Sequence, residues 1–183
     1  MKFLVIIFLL TSTAFAEWQM PLLRNKLQPP NNQKLDEVIS YRLPNNTRPI
    51  HYDILISSGI HAGDFNFDGV VTVRIVALEI TSEVTLHSKW QIIRNIDLLN
   101  ADGQIIQSNL MFEYRERVEF LVITLPQLLL RNQEVTLRIT YSGTLRTDDY
   151  GFFRTSYLHE NGQRIWQATT QFQATEARHG FPW

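Results

Sequence analysis

Phe65-Asn-Phe-Asp-Gly-Val-Val-Thr-Val-Arg-Ile75, FNFDGVVTVRI, decides the fold class. Phe65, Phe67, Gly69, Val71, Val73 and Ile75 fall on one side of it, and Asn66, Asp68, Thr72 and Arg74 on the other. Successive side chains of a strand point to opposite faces, so this period of two predicts a strand with one buried and one wetted face.

The same rhythm recurs on both sides. Tyr52, Ile54 and Ile56 alternate with His51, Asp53 and Leu55. Val84 to His87 reads as a short strand, and Val118, Phe120 and Val122 alternate with Glu119, Leu121 and Ile123. Val135, Leu137, Ile139 and Tyr141 alternate with Thr136, Arg138 and Thr140, and Ile165 to Gln173 reads as a last strand. Turn signals separate the runs: Ser57-Ser-Gly59, His61 to Asp64, Asn100-Ala-Asp-Gly103, Arg131-Asn-Gln133, Ser142-Gly143 and Glu160-Asn-Gly162. Asn-Gly and Asp-Gly supply the positive φ that tight hairpins need. No segment of twelve or more residues shows helical periodicity, so the pattern predicts an all-β antiparallel β-sandwich.

Residues 1–16 carry a different signal. Lys2 precedes the apolar run Phe3 to Leu10, and Ala14-Phe-Ala16 offers a small-x-small cleavage site before Glu17. The expectation is a secretory signal peptide cut between Ala16 and Glu17. The run falls short of the roughly 20 apolar residues that span a bilayer, and no later stretch qualifies as a transmembrane segment. Residues 17–40, with Pro29-Pro30-Asn-Asn-Gln, read as a flexible leader, which leaves 41–183 as the folded domain. Cleavage leaves 167 of 183 residues, enough for one domain to bury roughly 70% of its unfolded surface. The sequence has no cysteine, so a secreted domain must hold by its core, and thiolate zinc sites and cysteine nucleophiles are ruled out. Seventeen basic residues face eighteen acidic ones with no long run of either sign, which argues against nucleic acid as a partner. Asn45-Asn46-Thr47 is a sequon between Pro44 and Pro49, with Asn45 as the expected glycosylation acceptor.

Catalytic patterns are sparse. His159-Glu160 would begin a zinc helix only with a second histidine at 163, where Gln163 stands, and Asn161-Gly162 between them signals a turn. His51 and His87 sit in strand patterns and read as satisfied or exposed side chains. Asp148-Asp149 lacks the alternating oxygens of a calcium loop. No nucleophile elbow, phosphate loop or dinucleotide fingerprint is present. Gln171 and Gln173 remain. On the last strand their amides share one face with Phe172 on the other, and their carbonyl oxygens could accept hydrogen bonds from an ammonium group. On spacing alone the favoured reading is two exposed polar residues of an edge strand.

A longer pattern bears on that choice. Tyr41-Arg-Leu-Pro44 and Pro49-Ile-His-Tyr-Asp-Ile54, Phe67-Asp-Gly-Val-Val71, Val84-Thr-Leu-His87, Tyr141-Ser-Gly-Thr-Leu145, Tyr150 to Tyr157, then Ala168-Thr-Thr-Gln-Phe-Gln173 with Glu176-Ala-Arg178 and Phe181-Pro182 occur in order. The set resembles the N-terminal domain of the zinc aminopeptidases of the aminopeptidase N type, within the gluzincin metallopeptidases. The resemblance implies a saddle-shaped β-sandwich and substrate-binding roles for Gln171 and Gln173 at the free α-amino group of a peptide. The family usually continues Phe-Pro-Cys where Trp183 follows Pro182. Its Gly-x-Met-Glu-Asn loop, its His-Glu-x-x-His helix and its downstream zinc-binding glutamate have no counterpart in these residues.

The expectation is therefore the N-terminal domain of such an enzyme, truncated before the catalytic domain, with no catalytic or metal-binding residue of its own. Zinc would belong to the complete enzyme, and the chain alone would be an inactive, secreted fragment. Its partners would be the missing catalytic domain and peptide N-termini. A stand-alone secreted peptide- or protein-binding module, and an inactive decoy, are the alternatives.

Overall fold

A computed structural model describes residues 39–183, and Ser40–Trp183 forms one compact unit. The signal segment with its Ala16–Glu17 junction, and nearly all of the leader, lie outside the described residues. Ten strands follow in chain order: β1 (Thr47–Ser58), β2 (Asn66–Ala77), β3 (Thr81–His87), β4 (Ile92–Leu99), β5 (Ile105–Gln107), β6 (Phe112–Arg115), β7 (Phe120–Leu129), β8 (Glu134–Thr144), β9 (Gly151–Leu158) and β10 (Arg164–Gln171). Three single turns of 3-10 helix, Ile60–Ala62, Glu116–Val118 and Glu176–His179, are the helical pieces among the described residues.

The strands form a five-stranded sheet in the order β1-β2-β8-β4-β5, a three-stranded sheet β3-β7-β6 and a ribbon β10-β9. Every strand pairing is antiparallel, so the all-β antiparallel architecture is as expected. The decisive stretch is β2, where Phe67, Val71, Val73, Ile75 and Ala77 are buried at every second position. They join one cluster with Leu137, Ile139 and Tyr141 of β8, Ile96 of β4, and Val84, Leu86, Leu121 and Ile123 from the three-stranded sheet. Burying each such side chain contributes about 1.5–3 kcal/mol, and with no disulfide this cluster is what holds the two sheets together. One buried charge crosses the five-stranded sheet. Asp97 of β4 accepts from Arg138 Nη2 of β8 at 3.0 Å and from Asn95 Nδ2 at 2.7 Å.

Several elements differ from the sequence reading. Ser142-Gly143 is not a turn, because β8 runs through it to Thr144. Gly143 lies opposite Phe67, and a Cβ there would sit 2.5 Å from Phe67 Cζ. Two residues along, Gly69 lies opposite Tyr141, whose ring fills the space a Cβ would need, 2.2 Å from Cζ. These glycines are strand positions over which a cross-strand aromatic ring lies, a use of glycine that local sequence does not distinguish from a turn. The strand expected from Val118 begins at Phe120, and Glu119 instead caps the second 3-10 turn at φ 60°. Phe120 to Ile123 are all buried, so that part of β7 is covered on both faces. Strands β4, β5, β6 and β9 were not marked by the alternation rule. In β4, Asp97 occupies a buried position and breaks the apolar pattern.

Candidate functional site

The candidate site is the segment that leaves the ribbon, Gln171 to Trp183. Strand β10 ends at Gln171, paired with Gly151 of β9. Gly151 has φ 70°, and a Cβ there would meet His179 Cβ at 2.5 Å, so glycine is required where the segment folds back. Gln173, expected inside the strand, lies in the following turn, so period-two alternation no longer fixes its direction relative to Gln171. Both glutamines are exposed and Phe172 between them is half-buried, its ring 6.0 Å from that of Phe181. The chain stops pairing here because Phe172 and Phe181 pull the segment back toward the core, where Phe181 also meets Tyr52.

An ion-pair clamp holds the rest of the segment. Arg178, whose side chain is 10% exposed, donates from Nη1 to Glu119 Oε2 at 2.7 Å and from Nε to the Thr175 carbonyl at 2.8 Å. Lys89 Nζ lies 2.5 Å from the other oxygen of Glu119. The Arg178 carbonyl accepts from the Lys89 N–H and from Gln91 Nε2, while Gln91 Oε1 accepts from Ser88 Oγ at 2.6 Å. Beyond this, His87 and Trp183 exchange two backbone hydrogen bonds of 2.7 and 3.0 Å, a strand-like pairing along the edge of β3. Two residues that rarely take left-handed conformations do so at the clamp, Glu119 at φ 60° and Trp90 at φ 62°. Such conformations cost on the order of 1–3 kcal/mol and persist where surrounding contacts fix them. Here the contacts are the Glu119 ion pairs and the Trp90 ring, which stacks 4.7 Å from His179 with the Arg146 guanidinium 3.9 Å from its centre.

The clamp shapes the local electrostatics. Burial alone would raise the Glu119 pKa, but hydrogen bonds from Lys89 and Arg178 outweigh it and hold the carboxylate below its ordinary value. Burial, aided by the Arg178 charge, lowers the pKa of His87. Burial likewise lowers that of His179, against the opposing charge of Glu176. His87 is thus neither exposed nor satisfied as its strand position suggested. It is buried against Phe120 and Trp183, and its Nδ1 has no hydrogen-bond partner. His179 Nδ1 lies 2.8 Å from Glu176 Oε2 but off the direction of a true hydrogen bond.

The other sequence-derived positions are scattered. Asn45 is exposed in the turn before β1, while Asn46 is anchored to Thr81 Oγ1 and the Glu83 carbonyl. His159-Glu160 lies in the exposed β9–β10 turn, where His159 Nδ1 faces the Asn161 N–H. His51 is exposed beside Asp53, and Asp148 pairs with Arg146. The zinc implied for the complete enzyme does not fit these residues. Among the described residues no three His, Asp or Glu side chains are placed to hold a metal ion, and the two buried imidazoles, His87 and His179, pack against aromatic rings. No helix among the described residues is long and apolar enough to cross a membrane.

Fold and site together define a class: an antiparallel all-β sandwich with an attached ribbon, whose distinctive surface is a clamped strand end bearing two glutamines. Residues 48–183 match the Peptidase M1 N-terminal domain. The chain is 35% identical to the membrane alanyl aminopeptidase of Manduca sexta over 156 residues, which cover 78% of this chain and 16% of that protein. It is 32% identical to the puromycin-sensitive aminopeptidase of Caenorhabditis elegans over 141 residues, 77% of this chain and 14% of that protein. It is 33% identical to the aminopeptidase N of Canis lupus familiaris over 150 residues, 78% of this chain and 15% of that protein. The chain therefore belongs to the peptidase M1 family, in which it corresponds to the N-terminal domain. It spans about a sixth of the length of these relatives.

Proposed function

We propose that this chain forms one wall of an M1 aminopeptidase cleft, presents Gln171 and Gln173 to the free α-amino group of a peptide, and hydrolyses nothing alone. The observation that carries this reading is the pair of exposed glutamines at the end of a strand whose exit is clamped by Arg178, Glu119 and Lys89. A peptide ammonium offers three N–H donors. A glutamine amide offers a carbonyl acceptor without a charge, so selection would rest on hydrogen-bond direction and on a held backbone. In the complete enzyme a zinc ion held by the catalytic domain would activate water, and the two glutamines would hold the amine end while the first peptide bond lies toward that domain. The docking partner is accordingly the catalytic domain, and the setting is secreted or extracellular.

Titration of the chain with Ala-Ala-Ala bearing a free or an acetylated N-terminus tests the reading. Free peptide is expected to bind at least tenfold more tightly, since hydrogen bonds involving a charged group are worth about 1.5–3 kcal/mol. Gln171→Leu and Gln173→Leu should each remove most of that preference. Equal binding of the two peptides, or none, refutes amine recognition. Release of amino acid from an aminoacyl dye by the chain alone, abolished by a chelator, refutes the claim of inactivity.

The secreted setting has its own test at Asn45. Expression through a eukaryotic secretory route should give a product whose mobility shifts on treatment with peptide N-glycosidase F, and Asn45→Gln should show no shift. An unshifted wild-type product, or shifted Asn45→Gln, would rule out this acceptor.

A further inference from the structure

The edges of the two main sheets are protected unequally. At one end of the five-stranded sheet β5 has three residues, and at one end of the three-stranded sheet β6 has four. The edge of β3 is met by the Asn46 side chain at Glu83 and by Trp183 at His87. Short or covered edges of this kind keep unpaired backbone groups from recruiting another chain. Strand β1 is different. It is an edge strand of 12 residues, and no strand among the described residues pairs with its outer side. Protection is confined to one end, where Pro49 lacks an N–H and the register slips between Pro49 and His51. Beyond it, His51, Asp53, Ile54, Leu55 and Ser57 are exposed and carry no lysine among them.

The strand is also complementary to itself. A second copy related by a two-fold axis perpendicular to the sheet would run antiparallel to β1, and such an axis preserves the faces. With the axis at Tyr52, His51 lies opposite the second copy's Asp53 and Asp53 opposite its His51. An axis at Asp53 would instead oppose two carboxylates. His51 Nε2 and Asp53 Oδ1 already lie 3.1 Å apart on one face, so the two-fold would close a four-membered ring of alternating acceptors and donors. We infer that β1 is a self-association edge, through which two copies of this chain join their five-stranded sheets into one antiparallel ten-stranded sheet centred on Tyr52. The glutamines take no part in this edge, although the Tyr52 ring at its centre packs on Phe181, and the inference does not depend on their proposed role.

The 183-residue chain carrying Asn45→Gln, which keeps any glycan away from the edge, tests this by sedimentation velocity over a range of concentrations. A monomer–dimer equilibrium is expected. Asp53→Lys removes the acceptor that each His51 imidazole faces, puts a cation in its place, and should weaken association about tenfold. His51→Glu with Asp53→Lys restores opposite signs and should recover affinity to within about threefold. Both positions are exposed, so folding is preserved. The absence of cysteine gives a geometric check. A hexane-linked bis-maleimide should cross-link the exposed Ile54→Cys, which would stand about 14 Å along the strand from its counterpart at 3.4 Å per residue. It should not cross-link Ser57→Cys, which would stand about 34 Å from its counterpart at 3.4 Å per residue. A monomer at every concentration, or a dimer indifferent to the charge swap, overturns the proposal.

Discussion

Gly69→Ala should lower stability by about 2–3 kcal/mol, the upper part of the range of about 1–3 kcal/mol for forcing atoms into a packed core, and the midpoint of thermal unfolding by about 10 °C. A Cβ at Gly69 would lie 2.2 Å from Tyr141 Cζ and 2.5 Å from its hydroxyl. Tyr141 is fully buried among β2, β4 and β8, so its ring has no free space to enter. Relief requires either that the ring leave its rotamer or that β2 and β8 move apart, and both disturb the core cluster. Gly63→Ala separates this clash from backbone preference. Gly63 has φ 81° but nothing within 4 Å of a Cβ, so that change should cost about 1 kcal/mol through conformation alone. Tyr141→Leu removes the ring at its own cost. The double variant Gly69→Ala with Tyr141→Leu should lose less than the sum of the two single losses, because the clash has then disappeared. Thermal or urea denaturation of the wild type and the four variants measures this directly. A Gly69→Ala loss no larger than that of Gly63→Ala would contradict the packing described.

Glu119→Ala should have the second large effect, about 2 kcal/mol. The substitution strands the nearly buried Arg178 and the half-covered Lys89 without a counter-charge, and removing one partner of a shielded pair costs more than the pair contributed. It also removes the contacts that hold residue 119 at φ 60°. The loss should be local in its first manifestation. Amide exchange should rise in Glu176–Trp183, which the clamp holds, while β2 and β8 stay protected. Uniform protection loss across the domain would indicate that Glu119 supports the core instead.

The same clamp makes stability depend on acid, with a definite sign. His87 and His179 have lowered pKa values, mainly from burial. The unfolded chain then binds protons at these sites first, so their contribution is complete above the unfolded histidine value of about 6.5 and falls as pH drops below it. Glu119 and Asp97 are also held low, their hydrogen-bond partners outweighing burial. Their contribution is complete above the ordinary carboxylate value and is lost as pH falls through the folded-state values. The unfolding midpoint should therefore begin to decline below about pH 6.5 and decline further below about pH 4.5. In Glu119→Ala the second decline should be smaller. A midpoint unchanged between pH 7 and pH 5 would contradict the burial of the two imidazoles.

Much of this molecule is legible one segment at a time. Alternation in Phe65 to Ile75 places Phe67, Val71, Val73 and Ile75 on the core face, and the structure buries each of them. The ordered blocks from Tyr41 to Pro182 pointed to the family, and residues 48–183 match its N-terminal domain. Gln171 and Gln173 became candidates through those blocks, their spacing alone reading as ordinary edge-strand polarity; both are exposed, and Gln173 lies past the strand end. Glu119 could not be found that way. In the sequence it reads as the polar partner of an alternating strand, and nothing local announces a left-handed glutamate between two cations from residues 89 and 178. His87 shares this limit, since its surroundings, Phe120 and Trp183, arrive from distant parts of the chain.

What the sequence alone determined is whatever depends on a residue and its near neighbours: the strand character and inner face of the cleanly alternating runs, β2 and β8 above all, the turns at Asn161-Gly162 and Ala101 to Gly103, and the absence of disulfides. Tertiary structure alone decided where Gly69 and Gly143 lie beneath aromatic rings, where β10 gives way to the turn holding Gln173, and which charges meet at Glu119. The physical reason is register. A period of two sets which way a side chain points, but which residue it meets depends on the pairing of strands far apart in sequence, and that pairing is settled only when the shared core closes.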